Sequence, residues 1–426
     1  MTKNTTQQKK SLTGSVMVAQ SGGPTAVINA SAYGVIKTAL EAKNVTRVLW
    51  AGHGVNGILS DNIYDINAED PKELALLMQT PAAEFGSCRK KIKEASEYQQ
   101  ILETFKKHDV RYFFYIGGND SMDTCNKIND FMKNAGHDIC VWGVPKTIDN
   151  DLESTDHCPG FGSAAKYVAA TCMEISKDSH AYDTGQVTIV EVMGRNAGWL
   201  TGASALATKQ GAGPDLIYLP EVDFDINKFH GDVENLYKNK KNLLVAVSEG
   251  IRDKDGKYIA EYGGTEKSKD SFGHAQLGGL AHVLAQRVKD KLNTKVRPVE
   301  LSLMQRCGAH IASKTDVDEA FRAGEFAMKQ ALLGNSGNMA GYSCKRNPYS
   351  CEIVGIPLSK VANHEKKVPE TWITKEKNFV TDEFINYVSP LIQGESGMVY
   401  ESGLPRFARL KKLNIGNGKA VQGKEK

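Results

Sequence analysis

Residues 144 to 151 read Val-Pro-Lys-Thr-Ile-Asp-Asn-Asp, a lysine, a threonine and two carboxylates directly after the apolar run 138–143. Such a run reads as a buried parallel strand, and open α/β sheets bind ligands where parallel strands end. Asp149 and Asp151, one residue apart, can divide labour if their surroundings push their pKa values apart. One takes a proton from a hydroxyl while the other holds a metal or a water. Lys146 beside them suits an anionic substrate. Alone, an Asp-x-Asp is more often a polar turn in which one aspartate caps the next element. What raises this one above that reading is its company along the chain.

Ser15 to Ala19 reads as a strand running into Gln20-Ser21-Gly22-Gly23-Pro24-Thr25, with a helical pattern from Ala26 to about Ala42. Strand, glycine pair, helix is an order that aims backbone N–H groups and a positive helix end at a phosphate. A second strand, Val45 to Trp50, ends in Gly52-His53-Gly54-Val55-Asn56-Gly57, and a third, Arg111 to Ile116, ends in Gly117-Gly118-Asn119-Asp120-Ser121-Met122. One glycine pair is usually just a tight turn, but here three strand ends repeat the device. Between them Arg89, Lys90 and Lys91 precede a helical stretch, 92–107. A basic turn is commonly a solvated face, and the glycine loops are what make phosphate binding worth carrying. Beyond the central motif, Pro159 to Ala164 opens a helix to about Lys177, and a strand, Gln186 to Val192, leads to Met193-Gly194-Arg195. Arg195 there either closes on a phosphate or caps a helix. A strand from Leu243 to Val247 ends in Ser248-Glu249-Gly250, a carboxylate suited to a sugar hydroxyl or to a cap.

The elements that position these residues alternate as strand and helix, which predicts βαβ units and parallel sheets covered on both faces. A chain of 426 residues suits two domains. Residues 253–269 read as a loop or lid, and about 272–292 as an amphipathic helix. Thr315, with Asp318 as capping partner, starts a helix to about Leu333. After Gly334 the pattern is irregular, with one strand candidate, 351–356, and one helix candidate, 382–392. Residues 1–14 are expected to be a mobile tail and 411–426 a frayed basic one.

Fifty-three basic against 50 acidic residues leave a net charge of +3, which advertises neither nucleic acid nor membrane as a partner, so any anion site is local. No apolar segment follows the polar N-terminus, and no run approaches the ~18 residues of a membrane span. Eight scattered cysteines without a Cys-x-x-Cys pair argue against a disulfide framework or a zinc ribbon and fit a reducing cytoplasm. Ten histidines without metal-binding spacing leave a hard cation, held by carboxylates and phosphate, as the open choice.

In this order, Ser21-Gly22-Gly23 with Asn29-Ala30, Gly117-Gly118-Asn119-Asp120-Ser121, Pro145-Lys146-Thr147-Ile148-Asp149-Asn150-Asp151, Met193-Gly194-Arg195, Ser248-Glu249-Gly250 and Gln305-Arg306 resemble the phosphofructokinase family. The resemblance spans about 15–314. It implies two similar Rossmann-like three-layer αβα domains with the active site in the cleft between them: 15–158 plus about 305–360 for the phosphoryl donor, 159–304 plus about 361–410 for the sugar phosphate. It also implies transfer of a phosphoryl group to the 1-hydroxyl of fructose 6-phosphate, with Asp149 as general base. Gly22, Gly23, Arg89, Asp120, Ser121 and Lys146 would hold the donor. Thr147, Asp149, Met193, Gly194, Arg195, Glu249, Arg297 and Arg306 would hold the sugar phosphate, Arg195 and Lys146 assisting transfer. Mg²⁺ would sit with Asp120, Asp151 and Asn119, in a homodimer or homotetramer that often supplies acceptor-site arginines across an interface.

Two positions bear on the donor. ATP-using members have glycine where this chain has Asp120 and Lys146, whereas pyrophosphate-using members resemble this sequence. An aspartate in place of glycine fills the room a nucleotide's α-phosphate needs with a like charge. At ~4 Å and an effective dielectric of ~20 that repulsion is of order 4 kcal/mol. Lys146 instead pairs with compact, highly charged pyrophosphate. Three positions depart from the family: Asn119 stands where aspartate serves the metal, Gln186 where a second arginine meets the 6-phosphate, and Leu303 where a histidine touches the sugar. A related acceptor such as sedoheptulose 7-phosphate therefore stays open, as do an ATP-dependent kinase and a non-catalytic binding subunit.

Overall fold

The computed structural model describes residues 11–181, 183–263, 278–362 and 364–417. Two sheets organise them. The first has seven strands in the order β11-β10-β5-β4-β1-β2-β3: β1 (Gly14–Gln20), β2 (Val45–Ala51), β3 (Ile63–Asp65), β4 (Val110–Gly117), β5 (Cys140–Pro145), β10 (Asn338–Arg346) and β11 (Tyr349–Pro357). Its inner pairs are parallel, and β3 and β11 are antiparallel edges. The second sheet is wholly parallel, in the order β7-β8-β6-β9: β6 (Gln186–Val192), β7 (Leu216–Tyr218), β8 (Asn242–Ser248) and β9 (Val296–Glu300).

Parallel strands covered on both faces need apolar side chains on both, and β4 shows the rule. Tyr112, Phe114 and Ile116 enter one core with Val16, Val18, Trp50 and Trp142, while Phe113 and Tyr115 enter the other with Met17, Leu49 and Val141. The second sheet divides likewise, with Val190 and Val192 on one face and Val187 and Ile189 on the other. This is the expected α/β architecture of covered parallel sheets.

The helix Lys314–Leu332 returns to the first sheet by packing on the helix Ile28–Leu40 at paired glycines. A Cβ on Gly34 would fall 2.0 Å from the Phe321 carbonyl oxygen, and one on Gly324 the same distance from that of Ser31. Only glycine permits so close a crossing. The helix is capped by Ser313, whose hydroxyl accepts from the Asp316 N–H, and not by Thr315 with Asp318 as expected. Asp316 is buried instead, accepting the N–H groups of Gly160 and Ser163 and so fixing the start of the helix Phe161–Ser179.

Several expected boundaries shift. The irregular stretch after Gly334 contains a full strand, β10, hidden in the sequence because its nine residues mix glycine with polar side chains and lose burial towards Arg346. The helix candidate at 382–392 is helical over Asp382–Val388 and continues as a 3₁₀ turn. The helix expected from 272 is seen over Leu280–Leu292; 272–277, like 264–269 of the expected loop, lie outside the described residues. Neither terminal stretch is loose where described. Tyr112 donates its hydroxyl to the Leu12 carbonyl. Residues 411–417 are tied down by Glu69, which accepts the Lys411 and Lys412 N–H groups, by a backbone bond from Ile415 to Ile63, and by Asp61, which accepts the Asn417 N–H. Residues 1–10 and 418–426 lie outside the described residues.

Candidate active site

The C-terminal ends of β1, β4 and β5 face those of β6 and β8 across a cleft of about 600 Å³. Loop residues 22–25, 118–121, 146–149 and Asp151 line one side and Met193 and 195–197 with Glu249 the other, and Arg89, Arg306 and Glu365 complete it.

Cations crowd the first side. Gly22 has φ +76°, a backbone state that favours glycine, and a Cβ there would meet the Lys146 ammonium at 3.1 Å. One on Gly23 would meet the Arg306 and Arg89 guanidiniums at 3.2 and 3.6 Å. The glycine pair therefore keeps three cations together over bare backbone. Lys146 is 3% exposed and donates to the Gly23 carbonyl at 2.5 Å. Burial, opposed by Asp149 and reinforced by Arg89, lowers its pKa to about 8. Burial and then Arg89 also lower that of Arg306. Asp120, in the first turn of the helix Asn119–Asn134, pairs with Lys91 at 2.9 Å, and Ser121 packs beneath Gly117.

The central loop follows the end of β5. Thr147 Oγ1 accepts the Asp149 N–H at 3.1 Å. Asn150 adopts φ +55° and turns inward, donating to the Tyr387 hydroxyl and accepting the Cys158 N–H. The αL residue between them leaves both aspartates on the cleft. Burial raises the pKa of Asp149 against the pull of Lys146 and Arg195. Asp151 rises to about 7 through burial and then Asp149, and its Oδ1 is buried without a hydrogen-bond partner among the described residues.

On the second side, Glu249 accepts the Gly194 N–H, and its pKa is pushed to about 7, first by burial. The Met193 N–H is held by Gln305. Arg195 lines the cleft with its Nε buried and unpartnered among the described residues. Asn196 donates to Glu365, and its carbonyl oxygen accepts from Arg252. Neither Asn196 nor Glu365 stood out in the sequence: Glu365 lies in the irregular C-terminal third and reaches the cleft through a backbone bond from Lys366 to the Asp151 carbonyl.

Two expected participants stand elsewhere. Arg297 is exposed on the edge strand β9, where its Nε donates to Gln186 at 3.1 Å, so the cleft of one chain does not include it. The Gly52–Gly57 loop also turns away, and Gly54 packs under the Gln20 carbonyl. Asn119 lines the cleft, its side chain donating to the His364 carbonyl.

A buried carboxylate with clustered cations on one side and a second buried carboxylate, Glu249, on the other is an arrangement that suits phosphoryl transfer to an alcohol, and the paired parallel sheets are those of two-lobed α/β kinases. The chain belongs to the phosphofructokinase family: the family profile Phosphofructokinase matches residues 15–330. It is 44% identical to the pyrophosphate--fructose 6-phosphate 1-phosphotransferase of Xanthomonas campestris pv. campestris, over 94% of this chain and 97% of that one. It is 42% identical to the enzyme of that name from Halomonas elongata, over 93% and 96%. The pyrophosphate-dependent phosphofructokinase of Nitrosospira multiformis superposes with a TM-score of 0.87 at 39% identity, covering 95% of this chain and 98% of that structure.

Proposed function

We propose that the protein transfers a phosphoryl group reversibly from pyrophosphate to the 1-hydroxyl of fructose 6-phosphate, giving fructose 1,6-bisphosphate and phosphate. The observation that carries this reading is the buried Lys146 ammonium, set against Gly22 and Gly23 with Arg89 and Arg306 around it and Asp120 in the adjoining helix turn. The cluster suits a short polyanion, and Asp120 opposes a nucleotide's α-phosphate. The donor would lie on residues 15–158 and about 305–360, and the sugar phosphate against 159–304 and about 361–410.

Asp149, oriented by its N–H bond to Thr147, takes the proton of the 1-hydroxyl. Arg195 meets the charge that spreads over the transferring oxygens, and Lys146 and Arg89 hold the departing phosphate. Glu249 accepts from a sugar hydroxyl. The oxygen donors fit a hard divalent cation such as Mg²⁺: Asp151 has an orphaned buried oxygen, and Asp120, Asn119 and Glu365 share the cleft. When bound, the ion offsets the charge of the phosphates. Thr147, Met193 and Gly194 shape the sugar pocket. Arg297 contributes only if a second copy presents it, which supports a homodimer or homotetramer. No helix among the described residues is long and apolar enough to cross a membrane, and eight free cysteines suit a reducing cytoplasm.

The test is formation of fructose 1,6-bisphosphate from fructose 6-phosphate and Mg²⁺ with pyrophosphate or ATP in parallel. Turnover with pyrophosphate alone is expected. Turnover with ATP alone would overturn the donor assignment, and silence with both would point to another sugar phosphate or to a binding subunit.

A further inference from the structure

Behind the catalytic loop, on the hairpin of β10 and β11, lies a second cluster of chemistry that the reaction does not use. His157 is 2% exposed and stacked on Tyr342, its Nε2 at 2.8 Å from Glu319 and its Nδ1 at 3.0 Å from Asp156. Arg346 grips the Asp156 carboxylate with two bonds of 2.7 and 3.2 Å. Cys344 Sγ is 3.8 Å from His157 Nδ1, and Cys344 stands directly opposite Cys351 in the antiparallel register. Opposed residues of such a pair have Cα atoms about 4.5–5.5 Å apart, within the range a disulfide spans. Both thiols are free.

The surroundings make the two sulfurs unequal. Against the effect of its burial, the half-buried Asp156, Cys344 and the buried Glu319 raise the pKa of His157 well above the usual histidine value. A hydrogen bond from Cys351, and then His157, bring the Cys344 thiol down to about 6, while the same bond pushes Cys351 up. A cysteine beside a carboxylate-paired histidine, with a second thiol directly across the strand, is the arrangement of an attacking and a resolving cysteine. By contrast, burial alone raises the thiols of Cys125 and Cys172, and burial raises that of Cys158 against the pull of Lys366. Cys344 is half-buried near the hairpin tip, where Lys345 and Ser350 are exposed.

We propose that Cys344 and Cys351 are a peroxide-reactive dithiol that closes to a reversible cross-strand disulfide. The Cys344 thiolate attacks one oxygen of hydrogen peroxide, the O–O bond breaks, and the leaving hydroxide takes up a proton as water. The resulting sulfenic acid is attacked by Cys351, forming the S–S bond and releasing a second water. Two thiols are oxidised and one peroxide is reduced to two waters.

The test treats the native protein with hydrogen peroxide, alkylates the remaining thiols and maps non-reduced peptides by mass spectrometry. The expected result is a Cys344–Cys351 cross-linked peptide, two fewer alkylated cysteines, and reversal by dithiothreitol. Cys344 is expected to react about tenfold faster than the exposed Cys307. A Cys351→Ala variant with a native circular dichroism spectrum is expected to trap the Cys344 sulfenic acid as a dimedone adduct. Oxidation confined to Cys307, sulfinic acid at Cys344 with Cys351 still alkylated, or no adduct in the variant would overturn the proposal. So would one equivalent of zinc in the isolated protein that shields both thiols, because Asp156, His157 and Cys344 offer ligand atoms within 4.8 Å of one another.

Discussion

The two sides of the cleft crowd different charges against their backbones. On the side of the first sheet Lys146, Arg89 and Arg306 converge on bare glycine backbone, and burial with mutual repulsion weakens the protonated forms of Lys146 and Arg306. On the side of the second sheet Glu249 is buried against one backbone donor, the Gly194 N–H, with its ionised form weakened by burial. Asp149 acts on Lys146 and Arg195 on Glu249, so each side brings charges of both signs to the cleft. In the proposed reaction a polyanion would relieve the crowded cations of the first, and a sugar hydroxyl would suit the carboxylate of the second.

The comparison can be broken most severely at its boundary. Asp149→Asn is expected to lower kcat by ~10²- to 10⁴-fold with little change in sugar-phosphate affinity. Steady-state kinetics with isothermal titration decide it, and an undiminished kcat would remove Asp149 from the mechanism. The Lys146→Gly, Asp120→Gly double variant is expected to lose ~10²-fold in kcat/KM for pyrophosphate, because a desolvated charged contact is worth about 3 kcal/mol. An unchanged pyrophosphate rate counts against the donor assignment, whether or not ATP is accepted.

Proton concentration sharpens the contrast. Lys146 is a base whose pKa in the fold lies below its usual value, so its cationic form is lost as pH rises through about 8. A free lysine would keep its charge to ~10. The kcat/KM for pyrophosphate should fall above pH 8. The corresponding limb in kcat should move upward, because bound pyrophosphate favours the ammonium. Profiles flat to pH 10 would separate Lys146 from donor binding. Arg297→Ala should raise the KM for fructose 6-phosphate about tenfold and leave that for pyrophosphate unchanged, if a second copy presents the arginine. A mass measurement in solution belongs with that assay, since a monomer with the same loss would require another explanation. The smallest effect belongs to Thr147→Val, which removes one acceptor from the Asp149 N–H and should cost about 1 kcal/mol in kcat/KM.

The strands and loops of the cleft were legible because their signals are local. Apolar runs such as Val110–Gly117 must be buried on both faces, and each ends in residues that a tight turn demands. Asp149, Lys146 and Arg195 stand in those turns, but a carboxylate or an arginine there reads equally as a cap, and their roles came from the family resemblance. What escaped was long-range. Glu365 reaches the cleft through a main-chain bond some two hundred residues from its origin in sequence, and Arg297 leaves it because β9 is an edge strand. The cap at Ser313 was misplaced by two residues because Thr315 and Ser313 offer the same hydroxyl, and only the burial of Asp316 decides between them. β10 carries no clean alternation, since it is buried at one end and exposed at the other.

The strand order also sets a timetable for synthesis. β5 is made near residue 140, but its outer neighbour, β10, begins at Asn338, and all four strands of the second sheet lie between them in the chain. A ribosome that delivers the chain from its N-terminus completes the second sheet while the first still has an open edge. Until that edge is closed, Trp142 and its neighbours offer an apolar strand to any passing chain, which makes this interval the period of greatest need for a chaperone.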